Sequence, residues 1–299
     1  MSEPTFLPVA ARVMGILNVT PDSFSDGGEH FDTAAALQRA VEMIAEGADV
    51  IDVGGESTRP GAEPVDPTDE QRRVIPVIEG IIDLLGREPS RDVRVSIDTR
   101  NASTAQEAVR AGATLINDVS SELASTAADL GVGWVAMHML GDPRTMQTSP
   151  SYGDVVDEVR RFLVEKANEA TEYGVEEIWI DPGIGFGKTI HHNLELLSRL
   201  DEIVSEGFPV LIGTSRKRFL GEMTARSDSR IEFLHPKLSG REGPANIPSP
   251  APSEVSDRLE ASLATATWAM LKGVGMVRVH DVDATVQAVA VVSGSIPGR

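Results

Sequence analysis

Asp98, Asn117 and Asp181 each close a short apolar run (VSID, LIN and IWID), and each brings a group suited to reading the edge of a heterocycle. A carboxylate accepts from two adjacent N–H groups and an amide both donates and accepts, so the set suits a flat ring with an amino-amide edge. Other runs end alike: Asn18 after VMGIL, Asp52 after DVI, Asp118 beside Asn117, and His138 after WVAM. Arg278 and His280 alternate with Val277 and Val279 and so share one strand face. With Arg59 in an upstream loop they offer donors to a diphosphate, whose oxygens match guanidinium geometry. The plainer alternative for Arg278 is a salt bridge to Asp281 or another carboxylate. Lys217 follows VLIG within the basic cluster SRK.

Asn18 has no His or Cys companion, which makes it a poor transition-metal ligand but an acceptable oxygen ligand for Mg2+, which keeps waters and borrows phosphate oxygens. The segment DPGIGFGKT invites a phosphate-loop reading, but GxxxxGK[ST] would need glycine where Pro182 stands. Its glycines instead let the backbone curl close to a flat ligand. His191 and His192 are expected to begin an outer helix, and His138 to be a satisfied buried histidine.

Side chains that converge from so many run ends need a scaffold that brings those ends together. Amphipathic stretches of helical length separate the runs, which is the alternation of a parallel β/α sheet. Strands are expected near Val13–Leu17, Val50–Val53, Val93–Ile97, Thr114–Ile116, Trp134–Met137, Ile178–Ile180, Val210–Ile212 and Met276–Val279. Helices are expected from Asp32 as N-cap, over Tyr152–Tyr173 and His191–Ser205, and from a cap near Ser253. Eight such units in 299 residues predict a closed (β/α)8 TIM barrel, whose post-strand loops build the site. Two of those loops, NVTPDSFSDGG and GGESTRPGAEPVDP, are long and rich in Gly and Pro. The chain reads as one domain over 1–299, with a Pro- and Ser-rich surface insertion at about 224–252.

At 41% hydrophobic, the chain can bury a full core. A net charge of −19 disfavours binding to nucleic acid or an anionic membrane, so an anionic substrate needs a local basic pocket. The absence of cysteine excludes disulfides, thiolate metal sites and a Cys nucleophile. With no signal-like start and no apolar run of membrane-spanning length, a cytoplasmic location is expected.

The segments MGILNVTPDSFSDGG, DVGGESTRPGA, SIDT, INDVS, DPGIGFGK, GTSRKRFLG and RVHDV together resemble the dihydropteroate synthase family, in its order and spacing and over nearly the whole chain. The resemblance implies a pterin-binding barrel of folate synthesis, which joins (7,8-dihydropterin-6-yl)methyl diphosphate to 4-aminobenzoate and releases 7,8-dihydropteroate and diphosphate. It places pterin contacts on Asp98, Asn117, Asp181 and Lys217, and Mg2+ on Asn18. Thr58, Arg59, Arg278 and His280 then surround the diphosphate, while Phe24, Pro60, Phe186 and Lys217 surround the aminobenzoate. Asp26 helps organise the closed site, and Arg218, at a position that varies among relatives, favours the benzoate carboxylate. A homodimer and sulfonamide binding in the Phe24, Thr58, Pro60 and Phe186 pocket are implied too.

An arylamine is a weak nucleophile, so rate must come from making diphosphate leave, by an SN1-like path in which cationic groups meet the departing charge. Arg278→Ala is then expected to lower turnover while sparing the fold. A corrinoid-dependent methyltransferase domain would share the pterin-side Asp and Asn residues but has no need of SRK, TRPG or RVH. A non-catalytic pterin-binding paralogue would have no reason to keep Asn18, Arg59, Lys217, Arg278 and His280.

Overall fold

The computed structural model describes residues 9–20, 29–57, 64–87, 92–142, 145–225 and 251–294. Phe24, Asp26, Thr58, Arg59 and Pro60, and 226–250 of the expected insertion, lie outside the described residues.

Eight parallel strands alternate with helices: β1 (Arg12–Asn18), α1 (Glu29–Glu46), β2 (Val50–Gly54), α2 (Pro67–Arg87), β3 (Arg94–Asp98), α3 (Ala102–Arg110), β4 (Leu115–Asp118), α4 (Ala124–Leu130) and β5 (Gly133–Met137). There follow α5 (Val155–Tyr173), β6 (Ile178–Asp181), α6 (Ile190–Ser198), α7 (Leu200–Val204) and β7 (Leu211–Ile212). A helical segment α8 (218–225), a 3-10 turn (Val255–Asp257), α9 (Leu259–Leu271), β8 (Met276–Val279) and α10 (Val282–Ser293) complete the described chain. The strand order is β6-β5-β4-β3-β2-β1-β8-β7. The Ile180–Val210 bridge and the bond from Ile180 N to Pro209 O (3.0 Å) join β6 to the entry of β7 and close the ring.

The strands are buried on both faces, as covered parallel strands must be. Outward residues such as Ile51, Val53 and Ile97 join the helices in one large core. Inward residues Met14, Val50, Leu115, Val135, Trp179, Leu211 and Met276 form a separate plug inside the barrel. Because strand side chains repeat every two residues, the next inward position above this plug is Asp52, Asn117, Asp181 or Arg278 on β2, β4, β6 and β8. Apolar packing below thus fixes the height and direction of polar groups above. Below the plug, Arg94 holds Glu177 through two bonds of 2.7 and 2.9 Å, Trp179 Nε1 donates to Glu177 (2.8 Å), and Arg12 lies 5.8 Å from the Trp179 ring centroid.

Several expected boundaries move. α1 begins at Glu29, so Asp32 lies inside its first turn rather than capping it. The helix expected over His191–Ser205 divides at Arg199, whose φ/ψ of −105/25 breaks the helical ladder. Ser253 does not cap a helix; its carbonyl receives the Arg258 guanidinium (3.0 Å from Nε), and α9 starts only at Leu259. In contrast, α5 starts and stops on plain signals: Asp154 Oδ1 accepts from Val156 N and Asp157 N (3.0 Å each), and Gly174 ends it at φ 92. His191 and His192 do open an outer helix, where His192 completes a capping box with Thr189.

Candidate active site

The upper mouth of the barrel is organised around Arg278. Its Nε donates to Asp52 Oδ2 and its Nη2 to Asp98 Oδ2, both at 2.6 Å, while Asn117 Nδ2 adds a third bond to Asp52 Oδ2 (2.9 Å). The four side chains come from β8, β2, β3 and β4 and meet inside the C-terminal end of the barrel. Asp52 is fully buried, and its second oxygen, like the hydroxyl of Ser96, has no hydrogen-bond partner among the described residues. Buried oxygens without donors are costly, so this pocket floor has acceptor capacity in reserve.

Burial pushes the Asp98 carboxyl up to about 7, against the pull of Arg278 and with Asp52 adding repulsion. Burial likewise raises Asp181, opposed by Lys217 and by the bond from Gly183 N (2.7 Å). Arg278 is disfavoured by burial, yet Asp52 and Asp98 outweigh that and raise its pKa, so it stays charged. Lys217 is pushed down to about 8 by burial, with Asp181 pulling the other way. Its ammonium donates to the carbonyl of Ile184 and lies 4.4 Å from the Phe186 ring centroid. The mouth therefore joins acidic groups reluctant to ionise to a lysine close to losing its proton.

The segment after β6 forms one wall. Gly183 and Gly187 both sit at φ 63, and a Cβ on either would strike the exit of the neighbouring strand β5, 1.9 Å from His138 O and 2.5 Å from Leu140 O. Lys188 folds beneath this wall with Nζ 2.9 Å from His138 Nδ1, 3.2 Å from His138 O and 3.0 Å from Phe186 O. Burial and Lys188 together drive His138 down to about 3, so its imidazole is neutral at ordinary pH. His138 is thus a buried supporting group, as its sequence context suggested.

At the exits of β7 and β8, His280 Nδ1 lies 3.1 Å from Ser215 Oγ, which also accepts from His280 N at 3.1 Å. Asp281 does not pair with Arg278; it binds Arg216 instead. Arg218 extends along α8, 78% exposed, with Nε 2.9 Å from Glu222. Asn18 closes β1 beside Gly54, and its amide makes no side-chain hydrogen bond among the described residues. Asp118, adjacent to Asn117, points the other way and ties down its own loop through Ser120 N, Glu122 N and Leu123 N at 2.7–2.9 Å. Sequence reasoning named Asp52 as a strand-end group and Ser215 and Arg216 within the SRK cluster but gave none of them a role, and it did not place Lys188 in the site; for Asp52 the further signal was its inward phase two residues after Val50.

Buried carboxylates, an amide and cations gathered at the exit of a closed β/α barrel have the donor and acceptor groups suited to a polar heterocycle. A family model described as pterin binding enzyme matches residues 14–280. The dihydropteroate synthase of Escherichia coli strain K12 is 40% identical over 294 residues, covering 96% of this chain and 93% of its own. Among solved structures, Xanthomonas albilineans dihydropteroate synthase with 4-aminobenzoic acid superposes with a TM-score of 0.77 at 41% identity, covering 96% of this chain and 94% of that one. The same organism's enzyme in complex with 7,8-dihydropteroate gives 0.74 at 38% identity, covering 96% and 95%. The chain belongs to the pterin-binding enzymes and, within them, to the dihydropteroate synthase family, whose members are transferases.

Proposed function

We propose that the chain condenses (7,8-dihydropterin-6-yl)methyl diphosphate with 4-aminobenzoate to give 7,8-dihydropteroate and diphosphate, a step of folate biosynthesis. The observation that carries this reading is the Asp52–Arg278–Asp98 bridge with Asn117 beside it and Asp181 opposite. Asp98 and Asp181 accept from the pterin amino and ring N–H groups, and Asn117 meets the complementary edge. Lys217 donates to a pterin acceptor and, with Phe186, forms one side of the arylamine slot. Arg278 keeps Nη1 without a hydrogen bond among the described residues, so it can hold the pocket floor and still donate to the leaving group.

His280, fixed by Ser215, is aimed with Arg278 at the departing diphosphate, and Arg59 and Thr58 join them from the second loop. Asn18 supplies a hard oxygen with no competing side-chain bond among the described residues, which fits Mg2+ held otherwise by water and diphosphate oxygens. When bound, that ion adds positive charge where the leaving group develops its negative charge. The electron-rich dihydropterin spreads the cation formed as diphosphate leaves, so the path is SN1-like, and the arylamine attacks the methylene carbon. Phe24, Asp26 and Pro60 complete the closed site, Arg218 stands near the benzoate carboxylate, and sulfonamides enter as aminobenzoate mimics. We assign a cytoplasmic homodimer of one domain per chain, with 224–252 as a surface insertion; no described helix is long and apolar enough to cross a membrane.

The test is an assay of purified protein with Mg2+, the dihydropterin diphosphate and 4-aminobenzoate, following dihydropteroate and diphosphate release. Equal release of both products, lost in Lys217→Ala, is expected. A protein that binds the pterin but makes no product would instead be a non-catalytic binder.

A further inference from the structure

Arg216 is one of two non-glycine residues with positive φ in the described chain, at φ 57, and it immediately precedes Lys217. A bulky side chain is strained in such a conformation and persists there only when its surroundings over-determine it. Here they do. Its N–H donates to Ser262 Oγ (3.0 Å), its carbonyl accepts from Arg258 Nη1 (2.9 Å), and its guanidinium takes both oxygens of Asp281 through Nε (3.0 Å) and Nη2. Ser262 and Arg258 lie at the start of α9, whereas Asp281 immediately follows His280. The residue before Arg216, Ser215, is bonded to His280 through both Nδ1 and the backbone N–H.

The loops after β7 and β8 are therefore joined by two adjacent fastenings: Ser215 to His280, and Arg216 to Asp281. Lys217 projects from one loop toward Asp181 and Phe186, while His280 projects from the other. Nothing in the chemistry of the reaction requires a cation at Arg216, whose charge is already spent on Asp281. We infer that the Arg216–Asp281 pair is a positioning latch that sets the lysine of the pterin and arylamine side in register with the histidine of the diphosphate side. Arg216 and Asp281 act through Lys217 and His280 and touch no substrate. A two-point guanidinium–carboxylate contact suits this role, because it fixes orientation as well as distance.

The inference rests on the proposed synthase activity, and wild-type turnover is the control that separates the two: a wild-type protein that forms no product defeats the activity itself. With wild-type turnover in hand, kcat, both KM values and the thermal midpoint are measured for Arg216→Ala, Asp281→Ala and the double variant. Because the pair is partly exposed, folding should survive its loss; Asp281→Asn, which keeps the shape and removes one charge, carries the same expectation if an alanine variant does not fold. Expected is a fall in kcat of about tenfold or more in each single variant, with the double variant no slower than the slower single, since either change opens the same latch. Arg216→Lys should not restore the rate, because a point charge cannot reproduce the fork. A kcat within about twofold of wild type alongside a lowered thermal midpoint would mean the pair only stabilises the fold, and multiplicative losses would mean the residues act separately; either result overturns the latch.

Discussion

At the N-terminal mouth of the barrel Arg94 grips Glu177 with two bonds, Trp179 adds a third, and each polar group is satisfied by a neighbour at its own level. At the C-terminal mouth one guanidinium, Arg278, is divided between two buried carboxylates, Asp52 and Asp98, and a carboxylate oxygen and a serine hydroxyl have no partner among the described residues. The residue types are alike; their bookkeeping differs. Burial disfavours ionised Glu177, but the Arg94 and Trp179 hydrogen bonds prevail and its pKa falls. Burial disfavours ionised Asp98 and prevails, taking it to about 7. One end is finished as a stable closure, and the other is left short of donors that a ligand with an amino-amide edge would bring.

The largest effect should come from Arg278→Ala. It removes the leaving-group donor and strands two buried carboxylates, so turnover should fall by about a thousandfold or more. The fold should not be spared, contrary to the expectation from sequence: breaking a buried pair costs roughly 3 kcal/mol or more. Chemical denaturation at about pH 8 should show the full loss, and at about pH 5, where Asp98 is protonated and no longer needs its partner, part of it should be recovered. Equal stability loss at both pH values would contradict the Asp98 assignment.

Arg94→Ala is the matched change at the other mouth. The pair it breaks is a quarter to a third exposed, so solvent screening limits the cost to about 1 kcal/mol, and kcat should remain within about twofold. A large loss of turnover there would erase the distinction between the two ends.

The pH dependences should have opposite signs. The raised pKa of Asp98 means the native state binds its proton more tightly than the unfolded chain, so its contribution is present at low pH and lost as pH rises toward about 7. The lowered pKa of Glu177 means the reverse, a contribution present above its ordinary value of 4.5 and lost as pH falls below it. Denaturation curves for Asp98→Asn and Glu177→Gln against wild type should show these opposed trends, the Glu177 effect being the smallest of the set. Parallel trends would mean that the two mouths are not electrostatically distinct.

Much of this arrangement was legible in the chain because a strand has a strict period. Val50 in the plug makes Asp52 an inward group, Leu115 does the same for Asn117, and Trp179 for Asp181. The convergence of Asp98, Asn117 and Asp181 could be read from strand ends alone. What could not be read was pairing: MVRVHD does not reveal that Arg278 reaches across the barrel to Asp52 and Asp98 while Asp281 turns to Arg216, since those contacts span up to 226 residues of sequence. Helix ends were legible where a cap and a glycine coincide, as at Asp154 and Gly174, and illegible at Ser253, whose carbonyl serves Arg258 instead. Lys188 appeared as the tail of a failed phosphate loop, and only the structure reveals it folded under the Phe186 wall. α10, which covers the foot of β1 with Val282 against Gly15, had no motif to announce it.

The most direct test of the mouth as a pterin-reading site is a calorimetric titration of the dihydropterin diphosphate into wild-type protein and Asp98→Asn from about pH 5 to about pH 9. Wild-type affinity should rise as pH climbs through about 7, where Asp98 becomes a full acceptor, before Lys217 begins to lose its proton near about 8, and the Asn variant should bind at least about tenfold more weakly with the rise through about 7 gone. Binding that is equally tight in the variant, or that shows the same pH step without Asp98, would contradict the account.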